Sequence, residues 1–333
     1  MRPGRLLIYG GSGFVGGNLA TTALQEGWQV LVADPLFHPG LGSAGWERLD
    51  ITDPKSVDLI MAGFQPDAIV NLAALADIDR AERERELAWK INVDGARFVA
   101  ESCQRHAARL VFISSDAVFD GSEGPYREHD MPAPLNYYGV TKTEAEKVVL
   151  QVCAEAVVVR ISLVLGYPVT AGNSFLASLE QKLAAGESIF CPVDEVRTPI
   201  DVHTLCACLL ELAQCSFSGI LHLGGLQWVN RCDLTRLVAE KMDYPSSRII
   251  EQGVEFARVG RAVRHKRGML DVSLARSILT TPLSDLKATL DQAFIKEQHD
   301  TGPLRTGSAL DNAYRHKQYS KEAQYSDQTK NPS

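Results

Sequence analysis

Arg5-Leu6-Leu7-Ile8-Tyr9-Gly10-Gly11-Ser12-Gly13-Phe14-Val15-Gly16 decides how the rest of the chain is read. An apolar run of strand length passes into glycines at 10, 13 and 16, and these pass into an amphipathic segment, Phe14–Gln25. Gly10 permits a tight turn, Gly13 lets a pyrophosphate approach the backbone, and Gly16 lets helix and strand pack closely. Such an anion lies against the free N–H groups of a helix N-terminus. Strand, Gly-rich turn and helix, in that order, predict a dinucleotide-binding βαβ unit; in any other context the triplet is only a Gly-rich turn.

Outward from that turn, further strand candidates lie at Gln29–Ala33, Ala68–Leu72, Leu110–Ser114 and Val157–Ile161. Helical patterns at Pro54–Phe64, Ile78–His106 and Tyr138–Ala154 separate them. Short strands apolar on both sides are covered on both sides. The expected class is α/β, with a Rossmann-like doubly wound parallel sheet over residues 1–165. Beyond it the rhythm changes. Helices are expected at Asn173–Ala185, His203–Gln214, Asp233–Met242 (capped by Asn230) and Ser284–Gln298, and one more strand at Gly219–Gly225. Residues 166–298 read as a smaller α+β substrate-binding portion with segments returning to the main sheet. The polar stretch 299–333 is expected to be a disordered tail.

The second strand ends at Asp34, 18 residues past Gly16. A carboxylate there accepts both adenosine-ribose hydroxyls of NAD and repels the 2′-phosphate of NADP. Pro35-Leu36-Phe37-His38 brings no cation, so NAD is favoured over NADP. A second constellation is Tyr138 with Lys142, four residues apart on one helical face. An ammonium beside a phenol favours phenolate and so lowers the phenol pKa, making the Tyr a usable proton donor. The spacing alone is common, and by itself it describes an ordinary exposed helix pair. Ser115, at the end of the strand Leu110–Ser114, adds a hydroxyl where a parallel sheet presents ligands.

Composition narrows the partners. The chain has 333 residues and a net charge of −7. Gripping nucleic acid needs massed Lys and Arg, so no nucleic-acid partner is expected. No stretch reaches the roughly 18 apolar residues of a membrane helix, and no secretory leader precedes the first strand, so a cytoplasmic protein with no membrane contact is expected. The seven Cys form no C-x-x-C pair and the eight His show no ligand spacing. Reduced thiols and no metal are expected. The basic run Arg258, Arg261, Arg264, Lys266 and Arg267 either meets a diphosphate or forms a solvated loop face.

Together these residues resemble an extended short-chain dehydrogenase/reductase over about residues 4 to 295, and within it the dTDP-4-dehydrorhamnose reductase branch. The stretches that carry this are ISSDAVFDG (113–121), PYREHDMPAPLNYYGVTKTEAE (125–146), NLAALADIDRAE (71–82), VVVRISLVLG (157–166), RTPIDV (197–202) and HKRGMLDVSLARS (265–277). The resemblance implies reduction of a nucleotide-linked 4-keto-6-deoxysugar by NAD(P)H. It assigns Tyr138 as proton donor, Lys142 to tune it and hold the nicotinamide ribose, and Ser115 to the carbonyl. Gly10, Gly13, Phe14, Val15 and Gly16 would hold the pyrophosphate, and Asp34 the ribose. Asp50 and Ile51 would flank the adenine, Ala73 and Ala74 would pack along the cofactor, and Asn92 would be a structural or water-holding site residue. Ala117 follows Asp116 where sugar-nucleotide dehydratases of the superfamily carry a second carboxylate, which argues against elimination. Two alternatives stand beside the reductase: an NAD-retaining nucleotide-sugar 4-epimerase, and a dinucleotide-binding regulatory subunit similar to that of methionine adenosyltransferase. A homodimer is expected from the resemblance alone.

Overall fold

Leu6 and Ile8 pack into one hydrophobic core, and Leu7 and Tyr9 into another on the opposite face of the same strand. That alternation, repeated along neighbouring strands, gives a sheet buried on both sides. The computed structural model describes residues 4–170, 172–253 and 261–295. Its first strands are β1 (Arg5–Tyr9), β2 (Gln29–Asp34), β3 (Gly45–Arg48), β4 (Ala68–Asn71), β5 (Arg109–Ser115) and β6 (Val157–Ile161). The short β7 (Val164–Leu165), β8 (Ile189–Pro192), β9 (Val196–Arg197) and β10 (Ile200–Asp201) follow, and then β11 (Gly219–Leu223) returns to the main sheet. β12 (Val229–Asn230), β13 (Ile249–Gln252) and β14 (Arg267–Gly268) complete the described strands.

The main sheet runs β3-β2-β1-β4-β5-β6-β11, with every neighbouring pair parallel. Strand order reverses between β1 and β4, and at such a reversal the loops diverge and leave a crevice. Helices α1 (Phe14–Gln25) and α2 (Pro54–Phe64) begin the two flanking layers. Asp53 caps α2 through the Lys55 N–H at 3.1 Å, and Pro54 takes the first position, where no N–H is needed.

Two expectations needed correction. The single helix expected over Ile78–His106 is four pieces: α3 (Ile78–Arg83), α4 (Arg85–Trp89), a π turn at Lys90–Asp94, and α5 (Gly95–His106). Glu84 leaves helical geometry, and the π turn carries Asn92 inward, where its amide ties the loop after β4 to a later helix. The break at Glu84 is marked by neither Gly nor Pro, and Gly95 after the π turn stays helical, so the apolar period runs through both. β3 was not expected at all. It is a four-residue edge strand, Gly-Trp-Glu-Arg, whose polar composition suits a sheet edge.

The later elements have their own core. Leu165, Leu176, Leu179, Leu183, Leu234, Val238 and Ile249 cluster apart from the two sheet cores. Helices α7 (Phe175–Ala184) and α9 (Arg231–Lys241) supply most of it; between them in sequence, α8 (Val202–Gln214) packs on the main sheet through Val202, Leu205 and Leu209. α6 (Tyr137–Val152) lies on the other face. Ser174, Asp201 and Asn230 cap α7, α8 and α9. The last described helix is Leu286–Ala293. Residues 296–298 of the expected final helix, Arg258 and the tail 299–333 lie outside the described residues.

Among the described residues, no helix is long and apolar enough to cross a membrane, and no cluster of His, Cys, Asp and Glu could hold a metal ion. All seven Cys are free, and all but Cys215 are buried.

Candidate active site

β1 is followed directly by Gly10, whose φ of +79° lies in the left-handed region. A Cβ there would sit 2.7 Å from the Ala73 nitrogen. Gly16 is as constrained, because its Cβ would lie 2.5 Å from the Gly10 oxygen. Gly13 differs: a Cβ would meet nothing nearer than the Gly10 oxygen, at 3.4 Å. Gly13 is the N-cap of α1, and among the described residues no side chain caps the helix. A close turn, open space over Gly13 and uncapped N–H groups at Phe14 and Val15 fit a pyrophosphate. The segment after β7 borders this site, since Thr170 Oγ1 donates to the Gly13 oxygen at 2.9 Å and Asn18 Nδ2 donates to the Tyr167 oxygen at 3.1 Å.

Asp34 ends β2 beside the turn. Its carboxylate accepts from the Ser12 and Leu36 N–H groups at 3.2 and 3.1 Å. Burial raises its pKa, against those two bonds. Across the sheet, Asp34 is in register with Arg48 of β3. The missed edge strand thus sets an exposed cationic residue opposite Asp34 in the backbone register, which the linear sequence did not offer. Ile51 is buried against Gly95, whereas Asp50 is exposed and accepts from the Thr52 N–H at 2.9 Å. Ala73 and Ala74 are half-buried in the loop after β4, and the Ala73 N–H donates to Asn71 Oδ1 at 3.1 Å. Asn92 Oδ1 accepts from the Leu75 N–H at 2.7 Å, and its Nδ2 donates to Thr141 Oγ1 at 2.9 Å. The amide therefore joins this loop to α6.

α6 brings the Tyr–Lys pair to the end of β5. Asn136 caps it, accepting from the Gly139 N–H at 2.9 Å. Gly139 lies against the Ala117 carbonyl, and a Cβ would also meet Pro134 at 2.8 Å. Only a glycine lets the first turn of α6 approach the loop after Ser115 so closely. Tyr138 accordingly stands near Ser115. Burial, and then the nearby Asp116 charge, push the Tyr138 phenol up to about 12, against the effect of the Ser115 hydroxyl. The expected lowering by Lys142 is not what the structure has. Lys142 Nζ donates instead to the Ile113 carbonyl at 2.6 Å and stands 4.3 Å over the Phe112 ring. Burial lowers Lys142 to about 8, opposed by Glu146.

Beneath the pair, Arg160 forms a buried bidentate bridge to Glu146 at 2.9 and 2.7 Å, and Ser114 donates to the same carboxylate. His222, fully buried, contacts Arg160 at 3.4 Å and the Tyr126 oxygen at 3.1 Å, so it is a core residue.

A cavity of about 540 Å³ opens among the later elements. Its lining includes Phe175, Ile189, Phe190, Arg231, Arg261 and Arg264. The Arg231 guanidinium stands 4.1 Å over the Phe175 ring, and burial lowers its pKa. Arg261 and Arg264 both reach Asp79 of α3, at 3.2 and 2.9 Å, so two members of the basic run are paired. Lys266 is paired with Asp194 at 2.6 Å. Sequence reasoning missed Arg231 and Phe175, which are apart in the chain and belong to no local pattern. It also passed over His265 inside the basic run.

The family model described as the RmlD substrate binding domain matches residues 4–299. The dTDP-4-dehydrorhamnose reductase of Mycobacterium tuberculosis (strain CDC 1551 / Oshkosh) is 34% identical over 255 residues, covering 74% of this chain and 79% of the relative. The methionine adenosyltransferase 2 subunit beta of Pongo abelii is 31% identical over 280 residues, covering 81% and 80%. The crystal structure of dTDP-4-dehydrorhamnose reductase from Bacillus anthracis str. Ames, in complex with NADP, superposes with a TM-score of 0.78 at 26% identity, over 89% of this chain and 99% of that one. On these grounds the chain belongs to the RmlD substrate binding domain family.

Proposed function

We propose that the chain reduces the C4 ketone of a nucleotide-linked 4-keto-6-deoxysugar, with Tyr138 as the proton donor. The observation that carries this reading is the meeting of Ser115, Tyr138 and Lys142 at the C-terminal end of β5. A bound reduced nicotinamide supplies the hydride. Gly10, Gly13, Phe14, Val15 and Gly16 would hold the pyrophosphate, and Asp34 the adenosine ribose. Ser115 and Tyr138 donate to the carbonyl oxygen as negative charge grows there, which is where fixed donors act most strongly. A phenol held near 12 stays protonated at working pH, which suits a group that must give a proton to an alkoxide. Lys142, charged below about 8 and held by the Ile113 carbonyl, would serve the nicotinamide ribose rather than the phenol. Arg231, half-buried over Phe175, supplies a cation for the nucleotide diphosphate in the cavity.

Asp34 favours NADH, while Arg48 in register beside it gives a 2′-phosphate a partner, so use of both cofactors with NADH preferred is the reading these residues support. The test is loss of reduced-nicotinamide absorbance with a dTDP-4-keto-6-deoxysugar, NADH or NADPH, and Tyr138→Phe as control. The substitution should lower kcat about 10²–10⁴-fold, the usual contribution of a general acid. Absence of wild-type turnover removes the reductase reading.

A second reading is a regulatory subunit, favoured by the greater share of the chain, 81% against 74%, aligned with the methionine adenosyltransferase relative. It requires a stable complex with a methionine adenosyltransferase and no turnover on any sugar nucleotide. Cofactor copurifying at near-stoichiometric amount with sugar epimerisation would instead favour a 4-epimerase.

A further inference from the structure

The cavity between α7 and α9 is unevenly charged. Its described lining includes the cations Lys182, Arg231, Arg261 and Arg264, and one carboxylate, Glu195. A cavity made only to hold phosphate has no use for an anion in its wall.

Backbone fixes Glu195 in place. β9 pairs antiparallel with β12, Val196 opposite Asn230, and one step further the Arg231 N–H donates to the Glu195 carbonyl at 2.7 Å. β14 runs along the other edge of β9. Glu195 and Arg231 are therefore neighbours at the end of a three-stranded sheet, and both line the cavity.

The Glu195 charge is not consumed inside the protein. Arg197 Nη2 stands 3.5 Å from Glu195 Oε2, longer than an ordinary N–H···O bond. That guanidinium is committed elsewhere. It donates to the Val196 and Lys266 carbonyls at 2.9 Å each and to the His265 carbonyl at 3.0 Å. Among the described residues no other donor hydrogen-bonds the Glu195 carboxylate, and its side chain keeps 18% exposure. An ionised carboxylate offers about four acceptor sites. Most of them are open to a ligand.

Two kinds of ligand could bring an anion to Arg231. A free nucleoside diphosphate ends in a phosphate monoester, which carries about −1.5 to −2 charge above its second pKa of about 6. Attaching a sugar to that phosphate leaves it a single charge and puts hydroxyl groups beside it. A carboxylate repels the first ending and accepts hydrogen bonds from the second. Specificity is a difference of two affinities, and both terms here act in the same direction. We infer that Glu195 is a specificity-determining residue: set beside Arg231, it selects sugar-linked nucleoside diphosphates, whose sugar hydroxyls it accepts, over the free nucleoside diphosphate, whose terminal phosphate it repels. The inference rests on the reading of this cavity as the diphosphate site and deepens it.

The test is calorimetric and needs no turnover. The full chain and its Glu195→Gln variant, which keeps the side-chain shape and removes the charge, are titrated with dTDP and dTDP-glucose, and with UDP and UDP-glucose. The pH is held above the second phosphate ionisation. Wild type binds the sugar-linked member of a pair about tenfold more tightly than the free diphosphate. In Glu195→Gln the sugar-linked ligand weakens and the free diphosphate tightens, so that this ratio falls about tenfold, the scale of one hydrogen bond to a charged group. The opposite signs set the effect apart from a folding defect, which would weaken both ligands. A wild type that holds the free diphosphate at least as tightly as the sugar-linked form overturns the inference. So does a ratio that Glu195→Gln leaves unchanged. In both of those cases a diphosphate still binds, and the reading of the cavity stands. A chain that binds no member of either pair removes that reading, and the inference with it.

Discussion

The phosphate turn and the sugar-side cavity are built by opposite means. Around Gly10–Gly16 the shape is set by backbone: a positive φ, uncapped N–H groups and two glycines whose Cβ would collide with main chain. Around the cavity it is set by side chains that hold one another, Arg231 on Phe175 and Arg261 and Arg264 on Asp79. Backbone geometry serves a constant ligand part, and side-chain pairs serve a variable one. The first region should tolerate almost no change, and the second should change affinity by degrees.

The sharpest way to break this contrast is Gly16→Ala. The added methyl meets main chain at 2.5 Å, which has no rotamer to yield. A loss of about 3 kcal/mol in stability is expected, read by chemical denaturation, together with loss of dinucleotide binding by calorimetry. A variant of near-native stability that still binds would erase the distinction. Next comes Arg231→Ala on the cavity side. Losing a charge-assisted bond of about 1.5–3 kcal/mol should raise KM for the sugar nucleotide roughly 10- to 100-fold, with cofactor affinity and melting temperature little changed. A fall in cofactor affinity of the same size would mean the two regions are not separable.

The pH profile probes their junction. Lys142 is lowered to about 8 and is charged below that value, so kcat/KM should fall as pH rises through about 8. Because the folded chain disfavours the charged form, this group also makes folding more favourable as pH rises from about 8 toward its ordinary value. Activity and stability should therefore move in opposite directions over that interval, measured by steady-state rates and by denaturant midpoints. The smallest effect belongs to Arg48→Ala. An exposed cation next to Asp34 is worth up to about 1 kcal/mol, so KM for NADPH should rise by about threefold while that for NADH stays level.

What could be read without the structure follows the same division. The phosphate turn was legible because strand, glycines and helix are contiguous, and the strand runs that stack beside it are apolar on both faces. Ser115, Tyr138 and Lys142 were legible as a set, but their electrostatics were not. Spacing put Lys142 beside Tyr138 on a helix, whereas burial and the Ile113 carbonyl decide where its ammonium goes. β3 escaped notice because four residues of mixed polarity carry no period, and Arg48 was lost with it. Asp116 and His265 lie far apart in sequence, and the pairing of β9 with β14, with the bridge from Leu270 to Tyr126, brings that segment up to the end of β5. No local pattern encodes such a meeting.

β11 has a consequence for how the chain is made. It lies beside β6, pairing His222 with Arg160 and Leu221 with Val159, yet it is synthesised only after the whole of β7 to α8. On a ribosome, the nascent sheet waits with the outer rim of β6 unpaired while those residues emerge. A bare strand rim is the surface that recruits foreign strands. The cofactor-binding half is therefore no transplantable cassette. Cut free at residue 165 it would carry an open rim, and the chain is safe from that hazard only once residue 223 has left the tunnel.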